Sequence, residues 1–245
     1  NLKSKIVLAL LATSSAAFAQ TAPAAPESTL GYNVGVVSEY RYRGQGQSKG
    51  DPALQGGVDY AHSSGLYVGA WGSSIKWIKD AGNGAKGPVE LDIYGGYKFE
   101  AAGLAYDVGY LRYQYVGNTY DKVGVNANTD EVYGAATYGV TTLKYSYAFS
   151  DLFGTANSKG STYWDLSATF DLGQGYSIVP HAGHQSVKNA TTSYTDLALT
   201  LNKDLGDGLV ASVSAISTNG KAATFTTPSG YNPAKSIVVV GVKYS

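Results

Sequence analysis

The stretch 162–185 shows most clearly the pattern that limits what this chain can fold into. From Tyr163 to Leu172, apolar and polar side chains alternate with a period of two, Gly173-Gln174-Gly175 turns the chain, and Tyr176 to His181 runs back. Because residues two apart on a strand share a face, this hairpin has one apolar side and one polar side. The same unit recurs along almost the whole chain.

The recurring pattern predicts twelve strands. They span residues 32–43, 53–62, 66–78, 89–99, 104–115, 131–138, 143–149, 163–172, 176–181, 194–202, 209–216 and 236–244. The apolar side of 66–78 stays open, since both of its alternating sets contain apolar residues. In 104–115 the apolar residues change face near Tyr110, which predicts a β-bulge there or the end of the apolar surroundings. Pro180 removes a backbone donor from its strand.

The connections between the strands are of two kinds, which alternate without a break. Tight links lie at 62–65, 100–103, 139–142, 173–175 and 203–208. Longer links, rich in Gly, Asn, Ser and Lys, lie at 44–52, 79–88, 116–130, 150–161, 186–193 and 217–235. Short turns at one end and long loops at the other are typical of outer-membrane barrels. A soluble β-sandwich has no reason to sort its turns in this way.

The direction of the apolar faces separates the remaining fold classes. A lipocalin-like barrel turns its apolar face inward and normally has eight strands, whereas a membrane barrel turns that face toward lipid. A membrane barrel also accounts for 21 tyrosines, because Tyr and Trp concentrate at membrane interfaces. The aromatic residues near strand ends are Tyr40, Tyr42, Tyr97, Phe99, Tyr147, Phe149, Trp164 and Tyr176. We therefore predict an all-β fold, a 12-stranded antiparallel up-and-down transmembrane β-barrel.

The first residues predict export. Lys3 and Lys5 form a positive end, Ile6–Ala12 forms a short apolar core, and Ala17-Phe18-Ala19 is a small-x-small cleavage pattern. We expect a signal peptide at 1–19, a flexible leader at 20–30 and the barrel at 31–245. The expected location is the bacterial outer membrane.

Composition excludes several function classes. The chain has 18 basic and 18 acidic residues, and without Lys3 and Lys5 the remainder has a net charge of −2. A basic stripe for nucleic acid is missing, so no nucleic-acid partner is predicted. The absence of cysteine means that an exported chain must fold without disulfides. Beyond the N-terminal segment the chain has no apolar run of 18 residues, so no membrane-spanning helix is predicted.

Two segments resemble a known family. The first is Ser38-Glu39-Tyr40-Arg41-Tyr42-Arg43-Gly44, followed by Asp51-Pro52-Ala53-Leu54-Gln55-Gly56-Gly57. The second comprises Leu66-Tyr67-Val68-Gly69-Ala70-Trp71 and Glu90-Leu91-Asp92-Ile93-Tyr94-Gly95-Gly96-Tyr97. Both are similar to segments of the TorF-type porin family. The resemblance covers about residues 30–245 and implies an outer-membrane barrel that forms a channel, with no catalytic residues to transfer.

The sequence offers few candidates for catalysis or metal binding, and none of them forms a recognisable site. His181 and His184 are three residues apart on a strand, so their rings point to opposite faces and cannot chelate one metal. His62 lies beside a turn, where the sequence predicts no Ser–His–Asp arrangement. We predict that the protein is not an enzyme and that it needs neither a metal nor another cofactor.

The hypotheses about function rest on the charged residues of the polar strand faces. Charge is tolerated on inward positions because water or an opposite charge meets it there. The predicted pore-lining residues are Glu39, Arg41, Arg43, Asp59, Glu90, Asp92, Asp107, Arg112, Glu131, Lys144, Asp165 and Asp171. One hypothesis is a porin-like channel in outer-membrane lipid, through which small hydrophilic solutes diffuse. The alternative is a closed structural or surface-interaction barrel in which these charges pair across a filled lumen. Twelve strands lie between the filled and the open barrels, so the strand count leaves both hypotheses standing.

Overall fold

A computed structural model describes residues 27–245 of the chain. The predicted signal peptide and the predicted leader up to residue 26 lie outside the described residues. The strands are β1 (Ser28–Val37), β2 (Arg41–Tyr42), β3 (Gln45–Gly46), β4 (Ala53–His62), β5 (Leu66–Ser74), β6 (Val89–Ala101), β7 (Leu104–Val116), β8 (Thr129–Tyr138), β9 (Thr141–Ala148), β10 (Thr162–Ala168), β11 (Phe170–Gly173), β12 (Tyr176–Ser186), β13 (Tyr194–Gly206), β14 (Leu209–Thr218) and β15 (Ile237–Tyr244). In this part of the chain, residues 27–245, helix is confined to α1 (Trp77–Asp80), α2 (Ala222–Phe225) and a 3₁₀ turn at Tyr120–Lys122. Within the described residues no helix has the length and apolar character to cross a membrane.

The large sheet closes on itself. Each strand pairs antiparallel with its neighbour in sequence, and β1 pairs with both β4 and β15. The ring is completed at β12, which pairs with β13 on one side and with β10 and β11 on the other. Because β10 and β11 form one interrupted wall strand and β2 and β3 stand apart, the wall has twelve strands. The predicted 12-stranded antiparallel barrel is confirmed.

The apolar faces of the wall strands point outward. On β1, Leu30, Tyr32, Val34 and Val36 are each about half exposed or more, and the residues between them are less exposed. The same alternation leaves large apolar side chains exposed on all the remaining wall strands. A water-soluble barrel would bury these side chains. The outer surface is therefore an apolar belt, and the polar positions turn inward.

Tight turns and long loops lie at opposite ends of the barrel, as predicted. The turns at 63–65, 102–103, 139–140, 174–175 and 207–208 form the end that we call the turn side. The loops at 38–52, 75–88, 117–128, 149–161, 187–193 and 219–236 form the loop side. At 102–103 both residues have positive φ, 51° for Ala102 and 78° for Gly103. Positive φ at both central residues is the hairpin geometry that matches the twist of two antiparallel strands.

The β-bulge, one of the two explanations for the change of face near Tyr110, does not occur. The register of β6 with β7 runs unbroken from Val89 opposite Val116 to Ala101 opposite Leu104. Leu111, Tyr113 and Tyr115 therefore face inward, where the two tyrosines are buried. The bulge is not needed because apolar residues can also face inward, and these pack inside the barrel against the long loops.

The structure also corrects the first strand and resolves two open points. β1 ends at Val37, so Tyr40 and Tyr42 do not lie at the lipid face but inside the barrel. On β5, Leu66 and Val68 are the outward residues, which leaves Tyr67 and Trp71 facing inward. Pro180 lies on β12 opposite the break between β10 and β11, an interruption of the ladder that suits a residue without a backbone donor.

Candidate functional site

The loop between β1 and β4 folds into the barrel as a hairpin. Within it β2 and β3 pair, and Arg43 and Gly44 form the turn with φ values of 45° and 74°. We call residues 38–52 the lumen hairpin. Its tip touches the opposite wall: a Cβ placed on Gly44 would lie 2.6 Å from the Cβ of Asp196 on β13. A positive φ and this close approach together require glycine at position 44.

Aromatic side chains anchor the lumen hairpin to one side of the wall. The Tyr40 hydroxyl donates a 2.6 Å hydrogen bond to Glu90 on β6, and the hydroxyls of Tyr42 and Tyr113 meet. The ring of Tyr40 packs edge-on against Trp71, with centroids 5.5 Å apart. These residues belong to a buried cluster that also contains Ile75, Ile78, Ala85 and Ala127 from the loops. The loop-side half of the barrel interior is therefore packed like a protein core.

Arg43 at the hairpin tip is bound by the wall. Its two terminal nitrogens donate to the two carboxylate oxygens of Glu131, at 3.0 and 2.7 Å, and one also donates to Gln185 Oε1 at 2.8 Å. The guanidinium carbon lies 4.3 Å from the centre of the Tyr163 ring and 4.9 Å from that of Tyr42. Both partners of the ion pair are buried, with side-chain exposures of 5% and 2%.

Arg41 is bound by loops instead of the wall. Its guanidinium forms a 3.0 Å ion pair with Glu39 and donates to the backbone oxygens of Pro233 and Lys235 in the loop 219–236. In the same loop, the Tyr231 hydroxyl donates to Glu39. The loop 219–236 therefore lies against the lumen hairpin.

The loop 75–88 is tied to the lumen hairpin by two ion pairs, Lys49–Asp80 and Lys76–Asp51, each at 2.5 Å. Thr227 also donates to Asp80, which joins a third loop to the assembly. Burial alone would raise the pKa of the Asp80 carboxyl, but the hydrogen bonds from Lys49, Ser229 and Thr227 outweigh it and lower that pKa below its usual 3.8.

The turn-side half of the interior is lined by carboxylates that accept hydrogen bonds from tyrosines. Tyr94 donates to Asp59 at 2.5 Å and Tyr67 donates to Asp107 at 2.6 Å. Lysines lie above tyrosine rings: Lys98 is 4.9 Å from the Tyr67 centroid, and Lys144 is 4.0 Å from the Tyr133 centroid. A phenol O–H can donate to one carboxylate oxygen and leaves the other lone pairs of the carboxylate free to accept further hydrogen bonds.

A histidine lies between two aspartates on the wall near the hairpin tip. His181 Nε2 is 3.0 Å from Asp165, its Nδ1 is 3.6 Å from Asp196, and the Tyr163 hydroxyl also bonds Asp196. His184 points outward and bonds Thr195, so the expectation that the two histidine rings lie on opposite faces is confirmed. Among residues 27–245, no group of three His, Cys, Asp or Glu side chains could hold a metal ion.

The structure brings together most of the predicted pore-lining residues. Glu39, Arg41 and Arg43 lie on the lumen hairpin instead of on a wall strand. The residues that face inward from the wall are Asp59, Glu90, Asp92, Asp107, Glu131, Lys144 and Asp165. Asp171 lies exposed at the turn-side rim, where it accepts the N–H of Gly173.

The prediction for Arg112 was wrong. Arg112 lies on the outward face of β7, opposite Asp130, to which it donates two 3.0 Å hydrogen bonds. The inward placement of Arg112 follows only if Leu111 and Tyr113 face lipid, and the continuous register turns those two residues inward instead.

Sequence analysis missed the wall residues that hold Arg43 and His181. Gln185 and Asp196 lie on the inward faces of β12 and β13, and the inward phase of each strand was the signal that could have identified them. Tyr163 was assigned to the polar face of its strand, and the structure adds its stacking against Arg43. The identity of their partner was not readable, because Arg43 is 142 residues away from Gln185 in sequence.

Glu27, His62 and Ser64 come together at the turn side, an arrangement that the sequence did not predict. His62 Nδ1 lies 2.8 Å from Ser64 Oγ, and Nε2 lies 3.6 Å from Glu27. The same Nδ1 accepts the backbone N–H of Ser64, and the Glu27 side chain is 86% exposed. A general base needs a free lone pair and an ordered acid partner, so this group caps the turn.

Solved structures of porins share this fold. The chain resembles the NanC porin with a TM-score of 0.57 and 10% identity, covering 88% of this chain and 100% of that one. It resembles the KdgM porin with a TM-score of 0.53 and 9% identity, covering 89% and 98%. A structure of KdgM in complex with disordered oligogalacturonate gives a TM-score of 0.54, also at 9% identity, covering 89% and 98%. No curated protein matches the chain by sequence.

A family model matches the sequence over nearly the whole chain. Residues 20–245 match the family model described as "Bacterial protein of unknown function (Gcw_chp)". The matched range contains all twelve wall strands and the lumen hairpin. The chain therefore belongs to the Gcw_chp family.

Proposed function

We propose that the protein is an outer-membrane porin-like channel for the passive diffusion of small hydrophilic solutes. The observation that carries this proposal is the closed barrel with an apolar outer face and a polar inner face. In hydrocarbon every backbone N–H and C=O must be paired within the protein, and closure of the sheet meets that requirement without leaving an edge. The same surface in water would expose an apolar belt to solvent.

The interior supports a channel with its narrow point on the loop side. The lumen hairpin occupies that half, while the turn-side half is lined by charged and phenolic groups. Rings of charged and polar side chains of this kind select solutes in channels. The porin fold of NanC and KdgM and the resemblance to TorF-type porins agree with this assignment.

A closed, non-conducting barrel is the second candidate, and one observation favours it. The Arg43–Glu131 ion pair and the aromatic cluster fill the loop-side interior with well-packed groups. In this version the barrel serves as a scaffold that displays its long loops. An enzymatic role is not part of either proposal.

Single-channel recording separates the two candidates. Purified protein in a planar bilayer should give stepwise openings in KCl, and Arg43→Glu should change their size because it reverses a charge in the narrow part. Lys159→Glu is the matched control, since Lys159 is exposed in the loop 149–161 and its charge reversal should leave the step size unchanged. If wild-type protein and both variants show no openings at any voltage, the channel is rejected and the scaffold is favoured.

The proposed location has its own test. Membranes of the expressing bacterium are separated on a density gradient, and the protein should sediment with the outer-membrane fraction. A protein recovered without detergent in the aqueous fraction would contradict both candidates, because each requires lipid around the apolar belt.

A further inference from the structure

The pocket that holds Arg43 is made mainly by the barrel wall. Glu131 comes from β8, Tyr163 from β10 and Gln185 from β12, three wall strands near the same end of the barrel. We call these three residues the wall pocket. The hairpin itself contributes Tyr42. The wall pocket therefore remains if the lumen hairpin moves away.

The wall pocket is oriented before Arg43 enters it. The Gln185 side-chain nitrogen donates to the backbone oxygens of Thr162 and Ser186, at 3.0 and 3.2 Å, which turns its oxygen toward the guanidinium. The Tyr113 hydroxyl donates to Glu131 at 3.2 Å and helps to fix that carboxylate. Groups held by neighbours in this way lose little freedom when a ligand binds.

We propose that the wall pocket is a binding site for guanidinium-bearing solutes, which Arg43 occupies as a tethered ligand. The inference rests on the proposed channel, and it names a solute class for the same interior. A free guanidinium group that replaces Arg43 would meet the same carboxylate, amide oxygen and ring face.

The geometry selects guanidinium over other cations. Two parallel N–H···O bonds to Glu131 and a third to Gln185 match a planar fork of donors, and the Tyr163 ring stacks on its face. An ammonium group of equal charge is a compact point donor that cannot make the same planar set. Stacking on a tyrosine face adds attraction for either cation and so does not discriminate strongly.

The test uses the Arg43→Ala variant in planar bilayers. Removal of the tethered ligand leaves the wall pocket empty, so added methylguanidinium should reduce the current of this variant in a saturable way. Methylammonium of the same charge should need a concentration at least about tenfold higher for the same block. The double variant Arg43→Ala/Glu131→Gln should lose this preference. Equal block by the two cations, or a preference that survives Glu131→Gln, would overturn the proposal.

Arg41→Ala is the matched control. It removes the same side chain from the same hairpin, but Arg41 contacts Glu39 and the loop 219–236 instead of the wall pocket. Its current should show no preference for methylguanidinium over methylammonium, because Arg43 still fills the pocket. A preference equal to that of Arg43→Ala would assign the effect to the hairpin in general and reject the wall pocket.

Calorimetry in detergent keeps this inference separate from the channel itself. Methylguanidinium should bind folded Arg43→Ala protein with 1:1 stoichiometry and should bind wild-type protein much more weakly. Binding without conduction would reject the channel and retain the site, whereas conduction without binding would reject the site and retain the channel. If Arg43→Ala does not fold, Arg43→Gln takes its place, since the amide fills part of the pocket without supplying the charged fork.

Discussion

The two halves of the barrel interior accommodate their charged side chains in different ways. On the loop side the lumen hairpin enters the barrel, and buried aromatic residues and guanidinium–carboxylate pairs fill the space. On the turn side the contacts run from wall strand to wall strand, through tyrosine–aspartate hydrogen bonds and lysines above tyrosine rings. The wall is one continuous sheet, so the difference comes from what occupies the interior.

The two halves hold charged side chains in different ways. A buried ion pair resists removal of either partner because the remaining charge has no water to solvate it. On the turn side the carboxylates instead accept hydrogen bonds from phenols, and Asp107 is also buried. The loop side therefore relies on paired opposite charges, and the turn side on hydrogen bonds from neutral donors.

Deletion of the lumen hairpin should have the largest effect. Val37 and Ala53 are cross-strand partners on β1 and β4, so an Asn-Gly turn can replace residues 38–52 without moving the wall. We expect a severalfold rise in single-channel conductance, because the segment that fills the loop-side half is gone. The matched control replaces the exposed loop 187–193, and an equal rise there would refute a special role for the hairpin.

Glu131→Ala should be the most destabilising point substitution. It leaves the Arg43 guanidinium buried without a counter-ion, which typically costs about 3–5 kcal/mol. Urea unfolding in detergent, followed by tryptophan fluorescence, measures the loss. Asp171→Ala at the exposed turn-side rim is the control and should stay within about 0.5 kcal/mol of wild-type. Similar losses for both would mean that the two halves do not differ in rigidity.

Gly44→Ala tests the close approach of the hairpin tip to the wall. Both Gly44 (φ 74°) and Gly230 (φ 83°) have a left-handed backbone, which costs an alanine about 1–2 kcal/mol. Only at position 44 would the added Cβ also meet a wall side chain, 2.6 Å away, which adds about 1–3 kcal/mol. The same unfolding assay should therefore show a larger loss for Gly44→Ala than for Gly230→Ala.

Acidification should loosen the loop side slightly. The pKa of Asp80 is lower in the folded protein than its usual 3.8, so its bonds contribute stability above that value that is lost as pH falls through the folded pKa. The effect should be at most about 1 kcal/mol, because Lys49 is partly exposed to water. Unfolding midpoints between pH 2 and 6 should fall less steeply for Asp80→Asn than for wild-type, and parallel curves would contradict the assignment.

The wall of the barrel was predictable from sequence. Alternation such as Val89, Leu91 and Ile93 against Glu90 and Asp92 sets both the strand and its facing, because side chains on a strand have a strict period of two. The alternation of short turns and long loops then predicted that the turns lie at one end of the barrel and the loops at the other. Tyr113 and Tyr115 marked the limit of this reasoning, since an apolar side chain is equally satisfied by lipid or by a packed interior.

The contents of the barrel were decided only by the tertiary structure. Periodicity predicted that Glu39, Arg41 and Arg43 would continue the first strand, but the chain leaves the wall after Val37 and returns at Ala53 as a hairpin inside it. Inside the barrel the hairpin tip is held by Glu131, Gln185 and Tyr163, residues that are distant in sequence and meet only once the sheet has closed. Local pattern thus determined which way each wall residue faces, whereas the partners of Arg43 depend on distances across the lumen that no local pattern encodes.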